Sequence, residues 1–99
     1  MRLYQLFKSD RKDKKFYVIP PDLSKKIYFG ASGYEDYTTH KDKERMERYL
    51  DRHKANEDWT KNGIKSAGFW SRWILWNLPS FEESIKDTEK RFNIKIIYK

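Results

Sequence analysis

The chain has no cysteine, only three prolines, four glycines and two histidines, and no long hydrophobic run. Each shortage removes a class of protein. Without cysteine there can be neither a disulfide framework nor a thiolate zinc site, which fits a reducing compartment. A membrane span needs about 18 consecutive apolar residues. The best candidate, from Phe69 to Leu78, falls well short and is broken by Ser71, Arg72 and Asn77, so no membrane role is expected. The N-terminal stretch MRLYQLFKSDRK is too short and too interrupted for a secretory signal. An intracellular or virion location is therefore expected rather than secretion. No repeat or low-complexity linker is present, and 99 residues suffice for one small domain, 1–99.

What the chain has in quantity is aromatic rings and charge. Charged residues make up 37% of it and aromatics 17%. The aromatic share argues for a folded domain, because disordered segments are poor in such residues. The formal charge is +7, from 22 basic and 15 acidic residues. Residues 1–28 carry a net +5, residues 29–67 are neutral, and residues 68–99 carry +2. A basic excess of this kind favours polyanion partners and solubility alike.

Leu3 to Phe7 and Phe16 to Ile19 are β-prone, and the polar KSDRKDKK between them predicts a hairpin with a basic tip. Pro20 and Pro21 end the second strand, since proline cannot donate to a ladder. Lys26 to Phe29 reads as a third strand closed by Gly30, and GASGYEDYTTH, 30–40, as a loop. Thr39 and Asp42 have the spacing of a capping box, predicting a helix from about residue 40. Along it, Met46, Tyr49, Leu50 and His53 form an apolar stripe, with Lys41, Arg45, Arg48 and Arg52 as a basic stripe beside it. Residues 56–66 read as irregular.

The segment from about Ala67 to Asn77 predicts a helix that is apolar nearly all round, and so buried at the centre of the fold. Pro79 stops it, Ser80 and Glu83 form another capping box, and a helix over about 80–92 leads to a strand at 94–98. The order β-β-β-α-α-α-β predicts an α+β fold: a small, mostly antiparallel sheet with helices packed on one face. The last strand is expected at the sheet centre or beside the first.

The string from Phe29-Gly30 through Asp36-Tyr37-Thr38, His40, Asp42 and Arg52-His53 to the Trp-rich 67–77 resembles small uncharacterised proteins encoded by large DNA viruses and some phages. The resemblance spans about 28–80. It implies a viral origin and carries no mechanism.

Catalytic chemistry finds little support. On one continuous helix His40 and His53 would lie about 20 Å apart, too far to share a centre. Asp36, His40 and Asp42 match no established ligand spacing, and no serine sits in a nucleophile elbow. No metal, cofactor or catalytic residue is assigned, and an enzyme is the less favoured class. His40 is expected to support the helix start, and His53 to be a hydrogen-bonded core residue bonded to a backbone carbonyl or a tyrosine hydroxyl.

Binding is better supported. Gly30 and Gly33 of GASG could form a backbone nest for phosphate ahead of a helix, although tight turns use the same residues. Tyr34 follows directly, and Lys41, Arg45, Arg48 and Arg52 continue along the helix. That basic stripe also fits a solvated face with internal pairs such as Glu44 to Arg48. Arg11, Lys12, Lys14 and Lys15 at the hairpin tip are less compensated. Cations interleaved with rings are what nucleic acid needs, so a non-enzymatic nucleic-acid-binding protein making phosphate contacts is expected. The alternative is a virion-structural or host-interaction module whose basic face meets an acidic protein surface.

Overall fold

The structure is a computed structural model that describes residues 2–99. Three strands open the fold: β1 (Arg2–Lys8), β2 (Lys14–Ile19) and β3 (Ile27–Ala31). Helices α1 (Tyr37–His40), α2 (Lys43–His53) and α3 (Ala67–Trp70) follow, and α3 runs on as a π-helical segment, Ser71–Leu75. Helix α4 (Phe81–Phe92) and strand β4 (Ile94–Tyr98) complete the chain. The sheet order is β3-β2-β1-β4. β1 pairs antiparallel with β2, β2 antiparallel with β3, and β4 lies parallel to β1 at the edge. The expected α+β layout holds, with the last strand beside the first.

Alternation decides which sheet face is covered. Tyr4, Leu6, Val18, Ile27, Phe29, Ile94 and Ile96 point to the helix side and are buried. Against them packs the Trp-rich segment, whose Phe69, Trp70, Trp73, Ile74 and Leu75 are also buried. Trp70 touches Tyr4, Phe29 and Phe69, which makes this segment the hub between sheet and helices. Its buried indoles are satisfied: Trp70 Nε1 donates to the Ile64 carbonyl at 2.7 Å and Trp73 Nε1 to the Trp59 carbonyl at 2.9 Å. Buried polar groups cost free energy unless paired in this way.

Three local expectations need correction. The single helix from about residue 40 is two helices. Asp36, with Thr39, forms the capping box of α1, and Asp42 caps α2 by accepting from the N–H groups of Glu44 and Arg45. Lys41 sits between them with φ 57°, outside any helix, so it does not head the basic stripe. The strand closed by Gly30 instead continues through it to Ala31. The buried helix ends at Leu75 rather than Asn77, where Trp76 N–H bonds the Ser71 carbonyl five residues back. Trp76, at that end, is only partly buried and packs against the core from outside.

Candidate functional site

A cleft of about 540 Å³ opens between the β2–β3 end of the sheet, α2 and the Trp-rich segment. This is within the size range of small-ligand sites, about 300–1,000 Å³. Phe29, Tyr49, Leu75 and Trp76 supply its apolar surface. Six residues expected from sequence to bind nucleic acid line it together: Lys14, Lys15, Gly30, Tyr34, Arg45 and Arg52.

Each arrives by a separate local cause. Lys14 and Lys15 begin β2, and Lys14 faces Ala31 across the ladder. Gly30 has φ 79°, and a Cβ there would lie 2.8 Å from Leu75 Cδ1. It is glycine because the backbone is left-handed and the Trp-rich segment passes close by. Arg45 and Arg52 project from α2, whose inner stripe holds Tyr49 and His53. Tyr34 is 74% exposed at the mouth.

The charges inside the cleft are largely matched. Asp36 is 3% exposed. Its carboxylate caps α1 and accepts from Lys15 Nζ at 2.7 Å, so Lys15 acts as an internal counter-ion. Glu35 pairs with Arg45 at 3.2 Å. Glu57 bonds His53 Nδ1 at 3.1 Å and accepts from Trp59 Nε1 at 2.8 Å. With all three carboxylates engaged, Lys14 and Arg52 remain without an ion pair among the described residues.

The other expected residues lie elsewhere. Gly33 has φ 86° with open space around it, as a turn glycine does. Ser32 N–H is already taken by the Asp13 carbonyl, and the Asp36 carboxylate stands at the start of α1 where a phosphate nest was expected. Lys41 Nζ donates to the Pro79 carbonyl at 2.6 Å and to the Thr38 carbonyl at 3.2 Å, locking α1 against the loop before α4. Arg48 is 4.0 Å from Glu44, the expected internal pair on an exposed helix face. Arg11 clasps Asp13 with both ends of its guanidinium, and Lys12 projects from the hairpin tip.

The contacts among several lining groups carried no signal in the sequence, because they form only through tertiary packing. Trp76 stacks flat on Tyr49, with centroids 4.0 Å apart and planes at 2°. His53 stacks on the other face of Tyr49 at 4.1 Å, and its bonding partner is the Glu57 carboxylate rather than a backbone carbonyl or tyrosine hydroxyl. His40 leans on Trp76, and its Nδ1 accepts from Asp42 N–H, supporting the helix start as expected. Among the described residues, no three His, Asp or Glu side chains are grouped to hold a metal ion, and no helix is long and apolar enough to cross a membrane.

Burial pushes the Tyr49 phenol up to about 12, with the Glu57 carboxylate adding to the shift. A phenol with a folded pKa above its unfolded value of about 10 contributes stability that is full below pH about 10. That contribution is lost as pH rises toward 12. The expected loss is about 1 kcal/mol by pH about 11. Urea melts at pH about 8 and about 11 should show this loss in the native chain and a smaller one in Tyr49→Phe. Equal losses in the two proteins would show that Tyr49 is not the group responsible.

Residues 4–53 match a family model described as a family of unknown function (DUF5754). No curated protein and no solved structure matches the chain.

Proposed function

The chain belongs to this family of unknown function, and from that premise we propose that it is a small non-enzymatic protein that binds nucleic acid through phosphate contacts. The observation that supports this most directly is the cleft in which every carboxylate already has a partner. Lys14 and Arg52 are left there for an external anion, beside the exposed ring of Tyr34. A ring next to free cations suits a nucleotide, since charge holds the phosphate and the ring face holds the base. Arg11 and Lys12 at the hairpin tip add phosphate contacts from the side. A viral origin belongs to the same proposal and rests on the resemblance over residues 28–80, with action inside the host cell or in the virion.

The test is binding to labelled single- and double-stranded DNA and RNA at salt between about 50 and 200 mM. Lys15 is left intact, because its loss would strand the buried Asp36 carboxylate. Lys14→Ser with Arg52→Ser is expected to weaken binding about tenfold and to flatten the salt dependence by about 0.7 per contact on single strands. Arg11→Ser with Lys12→Ser is expected to weaken it further. No binding at the lower salt would end this reading in favour of an acidic protein surface as partner. Such an interface would rest on an apolar hot spot and tolerate salt.

A further inference from the structure

The face of the sheet turned away from the helices carries rings that the folded core does not use. Phe7, Tyr17 and Tyr28 sit directly opposite one another across β1, β2 and β3, so they form one row across the sheet. Phe7 and Tyr17 are stacked with centroids 4.9 Å apart, and Tyr17 and Tyr28 lie 5.3 Å apart. The next row along the strands holds Ile19, Gln5 and Ile97, and Leu3 stands exposed beyond it. All three rings are only partly buried. Among the described residues, these three rings belong neither to the buried core nor to the hydrophobics packed against it. Clustered apolar surface of this kind marks an interaction site more often than scattered exposed residues do.

Charge identifies the occupant. Residues 1–28 carry a net +5 and residues 94–99 a net +2, which is the whole formal charge of the chain; residues 29–93 are neutral. The excess thus lies in the segments that build the sheet, and the intervening helical region contributes none. Cations also stand on the rings themselves. Lys26 Nζ is 4.8 Å from the Tyr17 ring centre, and the Arg11 guanidinium is 4.9 Å from that of Tyr28. Their partners Asp10 and Asp13 are exposed, and exposed ion pairs contribute little, so a phosphate can compete for both cations. An apolar protein partner would not call for this charge, and a duplex keeps its base faces hidden from the rings.

We infer that this open face is a platform on which unpaired bases of single-stranded nucleic acid stack, with Arg11 and Lys26 holding the adjacent phosphates. This rests on the nucleic-acid reading above and names the form of nucleic acid and a second surface for it. Rings on an open four-stranded sheet are a general solution for stacking unpaired bases, and stacking is tolerant of sequence because every base has a π face. The hairpin tip stands where the platform and the cleft meet: Arg11 leans over the platform, while Lys14 and Lys15 line the cleft.

The experiment compares three probes: an oligo-dT and an oligo-U of about ten nucleotides, and a DNA duplex of the same length. They are titrated into the native chain, into Tyr17→Thr with Tyr28→Thr, and into Tyr17→Phe with Tyr28→Phe. Threonine keeps the strand and removes the ring, and a thermal melt establishes that each variant is folded. The expected result is at least tenfold weaker single-strand binding in the threonine variant, unchanged duplex binding, and single-strand binding retained in the phenylalanine variant. Which of the two oligomers binds tighter decides between DNA and RNA.

Amide shift mapping on the native chain supplies a readout that needs no variant. Oligo-dT should move Phe7, Tyr17, Ile19, Tyr28 and Ile97. Shifts confined to Gly30–Tyr34 and Arg52, or single-strand binding untouched by ring removal, would overturn the platform and leave the cleft reading standing. Equal loss of single-strand and duplex binding, or concentration-dependent self-association through these residues, would overturn it too. Failure of all three probes to bind the native chain would remove the nucleic-acid reading itself.

Discussion

Trp70→Ala is expected to cost about 3–5 kcal/mol and to lower the melting temperature steeply. Trp70 is 0% exposed, and its ring meets Tyr4 at 5.4 Å, Phe69 at 5.3 Å and Phe29 at 6.5 Å. Truncation would open a cavity bordered by β1, β3 and α3, three elements that cannot all collapse into it together. It also strands the Ile64 carbonyl, which accepts from the indole at 2.7 Å, adding about 1 kcal/mol. A domain of this length has only about 5–15 kcal/mol in total, so a large share of its stability would be gone. The melting temperature should fall by about 15 °C or more, followed by circular dichroism. A fall of only a few degrees would show that the Trp-rich segment is not the hub of the core.

That Trp70 and Trp73 are core was legible because six apolar residues from Phe69 to Trp76 leave a helix little polar side to present to water. The strands were legible for a similar local reason: branched and aromatic runs bounded by Pro20-Pro21, Gly30 and Asn93. The helix start after the loop was not. Asp36, Thr39 and Asp42 all offer N-caps within a stretch of seven residues, and Thr39–Asp42 is the pairing that spacing favours. Tertiary contacts decide otherwise. Lys15 neutralises Asp36 as the cap of α1, and Lys41 is held at φ 57° while its amine bonds the Pro79 carbonyl. A lysine in the left-handed region has no signature in the sequence.

The same distinction divides the candidate site. Lys14, Arg45, Arg52 and Tyr34 were identifiable as cations and a ring near a turn, and they do line one cleft. That Lys15 and Arg45 are occupied by Asp36 and Glu35 depends on distances across the fold. The row of Phe7, Tyr17 and Tyr28 needs the register of two strand pairs, which a shift of one residue would move to the other face. Ring-bearing positions could be read from the chain, whereas their alignment could not.

Gly30→Ala is expected to cost about 2–5 kcal/mol, from two separable causes. A non-glycine residue at φ 79° carries about 1–2 kcal/mol of left-handed strain. The new Cβ would also stand 2.8 Å from Leu75 Cδ1 and 3.2 Å from Lys15 Cβ, and relieving such overpacking costs about 1–3 kcal/mol. Leu75 is 2% exposed and cannot swing into solvent, while Lys15 is tethered to Asp36. A double-mutant cycle with Leu75→Ala separates the two causes. If contact with Leu75 dominates, the double variant should be more stable than the sum of the single losses by about 1 kcal/mol or more, because the vacated space admits the methyl group. If backbone strain dominates, the losses add. A fully tolerated Gly30→Ala would mean that β3 and the Trp-rich segment do not approach as closely as the structure shows. The wall of the cleft between Gly30 and Leu75 would then be wider, and Gly30 would no longer be a packing requirement.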